Sequence, residues 1–161
     1  MKNILLTTIP HTGTRFFIKM LEQQYFKSRH HIMRAHTEPK PLRLHKFATA
    51  HTEYSDLVID YVEKFNPVVI ACDRDYEAVM KSYRKRKGDE AQAHYDKNFA
   101  GWQRILEKVT PDVILTVDGE DRQERLNALS LILEVELNPE GWGKVGSWED
   151  KNHGRGRNWS I

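Results

Sequence analysis

Four short apolar runs punctuate the chain: ILLTTI (4–9), HKFATA (45–50), VVIACD (68–73) and VILTVD (113–118). The third and fourth are continuous rather than alternating, as expected for strands covered on both faces. The second is the weakest of the set. Between and after the runs, apolar residues recur at helical spacing. Phe16, Phe17, Met20, Leu21 and Tyr25 form one stripe, and Leu57, Val58, Tyr61, Val62 and Phe65 a second. Val79, Met80 and Tyr83 form a shorter third. Tyr95, Phe99, Trp102, Leu106 and Val109 give the cleanest 3.6-residue repeat, and Leu126, Leu129, Ile132 and Leu133 close the series. Strand alternating with helix predicts an α/β three-layer sandwich: a central parallel sheet of four to five strands with helices on both faces. In such folds ligands bind beyond the carboxyl ends of the strands. The segments after Ile9, Ala50, Asp73 and Asp118 are therefore expected at one edge.

Length and composition narrow the picture. The 161 residues suit a single domain over 1–161, and 39% hydrophobic with 30% charged residues excludes a disordered or fibrous chain. Twenty-five Lys and Arg against 23 Asp and Glu leave a net charge of +2, too small for a general nucleic-acid coat protein. Any anion site must come from local placement. No apolar run approaches 18 residues and the N-terminus has no signal-peptide character, so neither a membrane span nor export is expected. One cysteine, Cys72, gives no internal disulfide and no metal cluster; a reducing, cytoplasmic setting is the simplest expectation. From residue 139 to 161 the chain turns rich in Gly, Trp and Arg. That stretch is expected to be a loop whose cations close over an anion.

Two segments carry candidate chemistry. I-P-H-T-G-T-R, residues 9–15, links the first strand to the first helix. Gly13 permits a tight turn, Thr12 and Thr14 supply hydroxyls, and the amides at a helix start suit a phosphate. The competing reading is a plain helix cap by one of the threonines. The segment has one glycine and no lysine after it, so it is not the G-x-x-x-x-G-K-S/T loop of nucleotide triphosphatases. The second segment, C-D-R-D-Y-E-A-V-M-K-S (72–82), puts Arg74 at a strand end and Ser82 eight residues on, offset about 80° around the next helix. Taken alone, it reads equally as a surface arginine and a solvated serine.

Taken together, the two segments resemble the sulfotransferases that use 3′-phosphoadenosine 5′-phosphosulfate (PAPS). P-H-T-G-T-R is similar to that family's P-K-S/T-G-T loop, with His11 where the family has lysine. R-D-Y-E-A-V-M-K-S keeps the arginine, the serine and their spacing from the family's 3′-phosphate motif, with Tyr76 in place of its proline. A-T-A-H-T-E-Y-S-D-L (48–57) looks like the family's K-T-H-x-P segment, L-T-V-D-G-E-D (115–121) is similar to its Y-E-D-L region, and G-K-V-G-S-W (143–148) resembles its G-x-x-G-x-W stretch near the C-terminus. The likeness covers most of the chain, which is short for the family.

The resemblance implies a P-loop NTPase-like fold and transfer of a sulfuryl group from PAPS to a hydroxyl or amine, releasing 3′,5′-diphosphoadenosine (PAP). PAPS would be a co-substrate, with no metal required. Thr12, Gly13, Thr14 and Arg15 would hold the 5′-phosphosulfate, and Arg74 and Ser82 the 3′-phosphate. Lys144, Arg155 and Arg157 would add contacts from the tail, and one of Trp142, Trp148 and Trp159 would stack on adenine. His51 matches the family's catalytic base, with His36, in the same AHTE tetrapeptide, as its competitor. His11 would assist the leaving group when protonated, a form that neighbouring phosphates favour, or as a neutral N–H donor, and Arg15, ahead of Lys144, is the candidate to replace the missing lysine charge. The basic run Lys81, Arg84, Lys85, Arg86 and Lys87 reads as a solvated face or as an attractor for an anionic acceptor. A small-molecule or glycan acceptor is the expected partner, in a pocket built around 36–47 and 87–98. The rival readings are a nucleotide-binding relative without turnover, a P-loop kinase and, more distantly, a nucleic-acid binder.

Overall fold

The computed structural model describes residues 2–24, 32–35 and 46–139. Five strands, β1 (Ile4–Thr8), β2 (Ile32–Ala35), β3 (Phe47–His51), β4 (Val68–Asp73) and β5 (Val113–Thr116), form one sheet in the order β2-β3-β1-β4-β5. Every neighbouring pair is parallel. The helices are α1 (Thr14–Gln24), α2 (Ser55–Phe65), α3 (Tyr76–Lys87), α4 (Ala91–Leu106) and α5 (Arg122–Leu133). This is the expected sandwich, with helices on both faces.

The layers follow from side-chain alternation along β1. Ile4 and Leu6 point into a core with Phe16, Phe17, Met20 and Leu21 of α1 and Leu126, Leu129 and Leu133 of α5. Leu5 points the other way, joining Val58 and Tyr61 of α2, Ile105 of α4, and Val109. β1 is wholly buried because it is the central strand with a layer on each side, which explains its unbroken apolar run. Ala48 and Ala50 of β3 lie on the α2/α4 face.

Three expectations are adjusted. β2 carries no continuous apolar run, since IMRA is four residues with an arginine inside, and as an edge strand it pairs only with β3. β1 and β5 end at Thr8 and Thr116, short of Ile9 and Asp118, because ladder pairing with β4 stops at Cys72 and Asp73. Residues 91–98, expected to contribute a loop to the acceptor pocket, are the first half of α4. The aromatic repeat through Tyr95, Phe99 and Trp102 dominates there. Of the other stretch of that pocket, 36–47, residues 36–45 fall outside the described residues. No helix among the described residues is long and apolar enough to cross a membrane.

α4 sits unusually close to the turn after β3. A Cβ on Gly101 would stand 1.9 Å from the Thr52 carbonyl oxygen. Nearby, the Thr52 hydroxyl donates to the Asn98 carbonyl at 2.7 Å, and the buried Asn98 side chain accepts from the Glu53 amide at 3.1 Å. The obstruction is a backbone carbonyl rather than a flexible side chain, so no rotamer change relieves it. Gly101→Ala is expected to lower stability by about 3 kcal/mol through overpacking, read as a reduced urea midpoint at unchanged m-value. An unchanged midpoint would mean that α4 shifts freely on the sheet.

Candidate functional site

The chain leaves β1 through α1 towards β2 on one side of the sheet and leaves β4 through α3 and α4 towards β5 on the other. The two loops therefore part at the β1–β4 junction, the place where parallel α/β sheets open a crevice at their carboxyl edge. Both sequence motifs stand there.

The first loop is a tight turn. His11 has φ +70° and Gly13 φ +98°, both in the left-handed region. At Gly13 glycine is required twice over, since a Cβ would also lie 2.6 Å from Val117 Cγ1. A non-glycine residue held at positive φ costs energy and is often found at functional sites. The two threonine hydroxyls are spent inside the loop. Thr12 donates to the Ile9 carbonyl at 2.7 Å, and Thr14 shares a 2.8 Å hydrogen bond with Thr8. The Gly13 carbonyl accepts the first helical bond, from Phe17 at 3.1 Å. The threonines thus brace the turn, and what the helix start offers an anion is its backbone amides.

The second motif begins with a two-residue link. Asp73 ends β4, Arg74 follows, and Asp75 caps α3 by accepting from the Ala78 amide at 3.0 Å. The link holds Arg74 at the sheet edge, and Ser82 arrives two turns along α3. The motifs then meet. Ser82 Oγ and His11 Nδ1 share a 2.7 Å hydrogen bond, and Arg74 Nη1 lies 3.5 Å from the His11 carbonyl oxygen. Residues 71 positions apart in sequence become direct partners.

His51 ends β3, one strand over, as the parallel partner of Thr8. It is half-buried and opens the 3₁₀ turn Thr52–Tyr54. The expected base is thus on the same edge as the loop. Arg15 lies in the first turn of α1. His36, Trp142, Lys144, Trp148, Arg155, Arg157 and Trp159 fall outside the described residues.

Burial and nearby cations act together on His11, beside a cleft that Asp73, Asp75, Asp118 and Asp121 also line. The pKa of His11 is lowered from 6.5 to about 4, first by burial and then by the charges of Arg86, Lys87 and Arg74. In the ligand-free fold the imidazole is therefore neutral at pH 7, and the protonated form expected beside bound phosphates belongs to the complex. Arg86 and Lys87 come from the basic run on the last turn of α3, so part of that run faces the loop electrostatically rather than only solvent.

Two participants were not singled out from the sequence. Asp118 Oδ2 accepts from Arg74 Nε at 3.0 Å, and it lines a cleft of about 450 Å³ together with Asp73, Arg74, Thr116 and Arg125. Its signal was an apolar run ending in Asp, which 68–73 shares with 113–118. Tyr83 is buried, with its ring centroid 4.3 Å from that of His11. Its hydroxyl has no hydrogen-bond partner, and burial, with the Glu53 charge, pushes its pKa well up. Periodicity marked Tyr83 as a core residue, which it also is. No protein-family model matches the chain, and no curated protein matches it.

Proposed function

We propose that this protein is a sulfotransferase that moves the sulfuryl group of PAPS to a hydroxyl or amine acceptor and releases PAP. The observation that carries the reading is the meeting of His11, Arg74 and Ser82 at the β1–β4 crevice, beside the amides that start α1. The three cations that depress the His11 pKa support an anion as the ligand.

In this mechanism the α1 amides, with Arg15, take the 5′-phosphosulfate, and Arg74 and Ser82 take the 3′-phosphate. The acceptor oxygen or nitrogen attacks sulfur in line, forming one bond as the bond from sulfur to the 5′-phosphate oxygen breaks. The electron pair leaves on that phosphate, where the amides and a His11 protonated beside the bound anion stabilise it. His51 accepts the acceptor's proton.

Thermal unfolding tests the ligand class. PAP at 100 times its Kd is expected to raise Tm by about 5–10 °C, and ATP with Mg²⁺ to do much less. A larger shift with ATP–Mg²⁺ would replace this reading with a phosphotransferase. Transfer from ³⁵S-labelled PAPS across an acceptor panel tests the reaction itself. PAP binding without transfer to any acceptor would reduce the protein to a nucleotide binder.

A further inference from the structure

Arg74 has only 9% of its side chain exposed, so what pairs with it matters more than at a surface ion pair. Its Nε–H donates to Asp118 and one Nη1–H points at the His11 carbonyl. A guanidinium is planar and carries five N–H groups. The 3.0 Å bond at Nε, with the long 3.5 Å contact at Nη1, orients its plane and leaves Nη2, with the other hydrogen of Nη1, for a ligand. Asp118 is itself braced. The Thr116 hydroxyl bonds the Asp118 carbonyl and lies 3.4 Å from Oδ1, and Gly119 at φ +102° turns the chain directly after it.

We infer that Asp118 is a positioning residue that holds the Arg74 guanidinium with its Nη edge toward a 3′-phosphate, and so lets the site distinguish a 3′-phosphorylated nucleotide from one without that group. This inference rests on the proposed nucleotide function and assigns a specificity role within that site. The carboxylate stands on the Nε side, away from the edge that the ligand takes. Its contribution is orientation, since its charge works against an incoming anion. That opposition gives the test a distinctive sign. An amide at position 118 keeps the oxygen that accepts from Nε–H and loses the repulsion, whereas a methyl group loses both.

The experiment is calorimetric titration of the full chain with PAP and, separately, with AMP, which lacks the 3′-phosphate. Asp118→Ala is expected to weaken PAP about tenfold, the scale of a hydrogen bond to a charged group, and to leave AMP unchanged. Asp118→Asn is expected to bind PAP at least as tightly as the parent. In an Arg74→Ala background, Asp118→Ala should no longer weaken PAP and should tighten it slightly, since only the repulsion is then lost. Unchanged AMP affinity reports that the rest of the site is folded. Retained PAP preference in Asp118→Ala would overturn the inference while leaving the function standing. Equal weakening of PAP and AMP would make Asp118 merely structural and overturn it too. A parent protein that binds PAP no better than AMP would overturn the assignment of Arg74 to the 3′-phosphate, and this inference with it.

Discussion

His51→Ala is expected to lower sulfuryl transfer by about 10²–10⁴-fold, the range for removing a positioned general base, while PAP affinity stays within about twofold, because the proposed contacts to both phosphates come from other residues. The geometry behind this expectation is the pairing of β3 with β1. Their parallel register sets His51 beside Thr8, immediately before the 9–15 loop proposed to receive the phosphosulfate. Neighbouring strands are about 4.8 Å apart, so an acceptor reaching the crevice passes close to this side chain. His51 also opens the Thr52–Tyr54 turn, on which α4 packs closely through Gly101. A purely structural role would therefore appear as joint loss of PAP affinity, Tm and turnover. Loss of turnover alone, with the acidic limb of the pH dependence of kcat altered, identifies the base. Full activity in the variant would remove His51 from the mechanism.

The second large effect is the response of His11 to acid. The fold holds its pKa near 4, against 6.5 in the unfolded chain. Between these values the unfolded chain binds a proton that the folded chain refuses, so stability rises with pH across the window. The contribution is complete above pH 6.5, falls as the pH drops, and levels off below about pH 4. Its full size is about 3 kcal/mol. Urea titrations between pH 7 and 4 should show this loss in the parent protein, and a correspondingly smaller one in His11→Gln. Equal losses in the two proteins would show that His11 is not shielded as described.

A bound dianion reverses the preference at His11, because its charge favours the imidazolium that Arg86, Lys87 and Arg74 oppose. PAP binding near pH 6 should then take up a proton, which His11→Gln abolishes. Transfer should fall towards alkaline pH as His11 loses its proton in the complex. His11→Lys should carry activity to higher pH, since a lysine beside phosphate stays charged there. Calorimetry in buffers of different ionisation enthalpy reads the proton uptake, and a pH–rate profile reads the rest. A pH–rate profile identical in the parent and in His11→Lys would exclude His11 from leaving-group assistance.

Legibility of the fold tracked burial. β4 stood out because it is covered on both faces, with Ile70 in the core under α1 and α5 and Val69 in the core under α2 and α4, and β5 stood out through Val113 and Leu115, which join the first of these cores. β2 did not, since its four residues include an arginine and form no continuous apolar run. The first half of α4 was placed in a variable loop although its aromatic repeat argued for helix. Tyr95 packs against Tyr76, Tyr83 and Phe99, which are contacts that a helix face supplies. In the site, Thr12, Thr14, Arg74 and Ser82 were legible as residue types at a spacing. Their partners were not: both threonine hydroxyls are consumed within the loop, and Arg74 takes a carboxylate 44 residues away.

The sequence by itself determined the strand and helix alternation, the parallel α/β class and the two loops worth watching, because periodicity and turn chemistry act over a few neighbouring residues. Tertiary structure alone decided that His11 bonds Ser82, that Asp118 fixes Arg74, and that burial and converging cations strip His11 of its proton. Those outcomes depend on distances between groups far apart along the chain and on how little water reaches them. Neither quantity exists until the sheet has brought β1, β4 and β5 side by side.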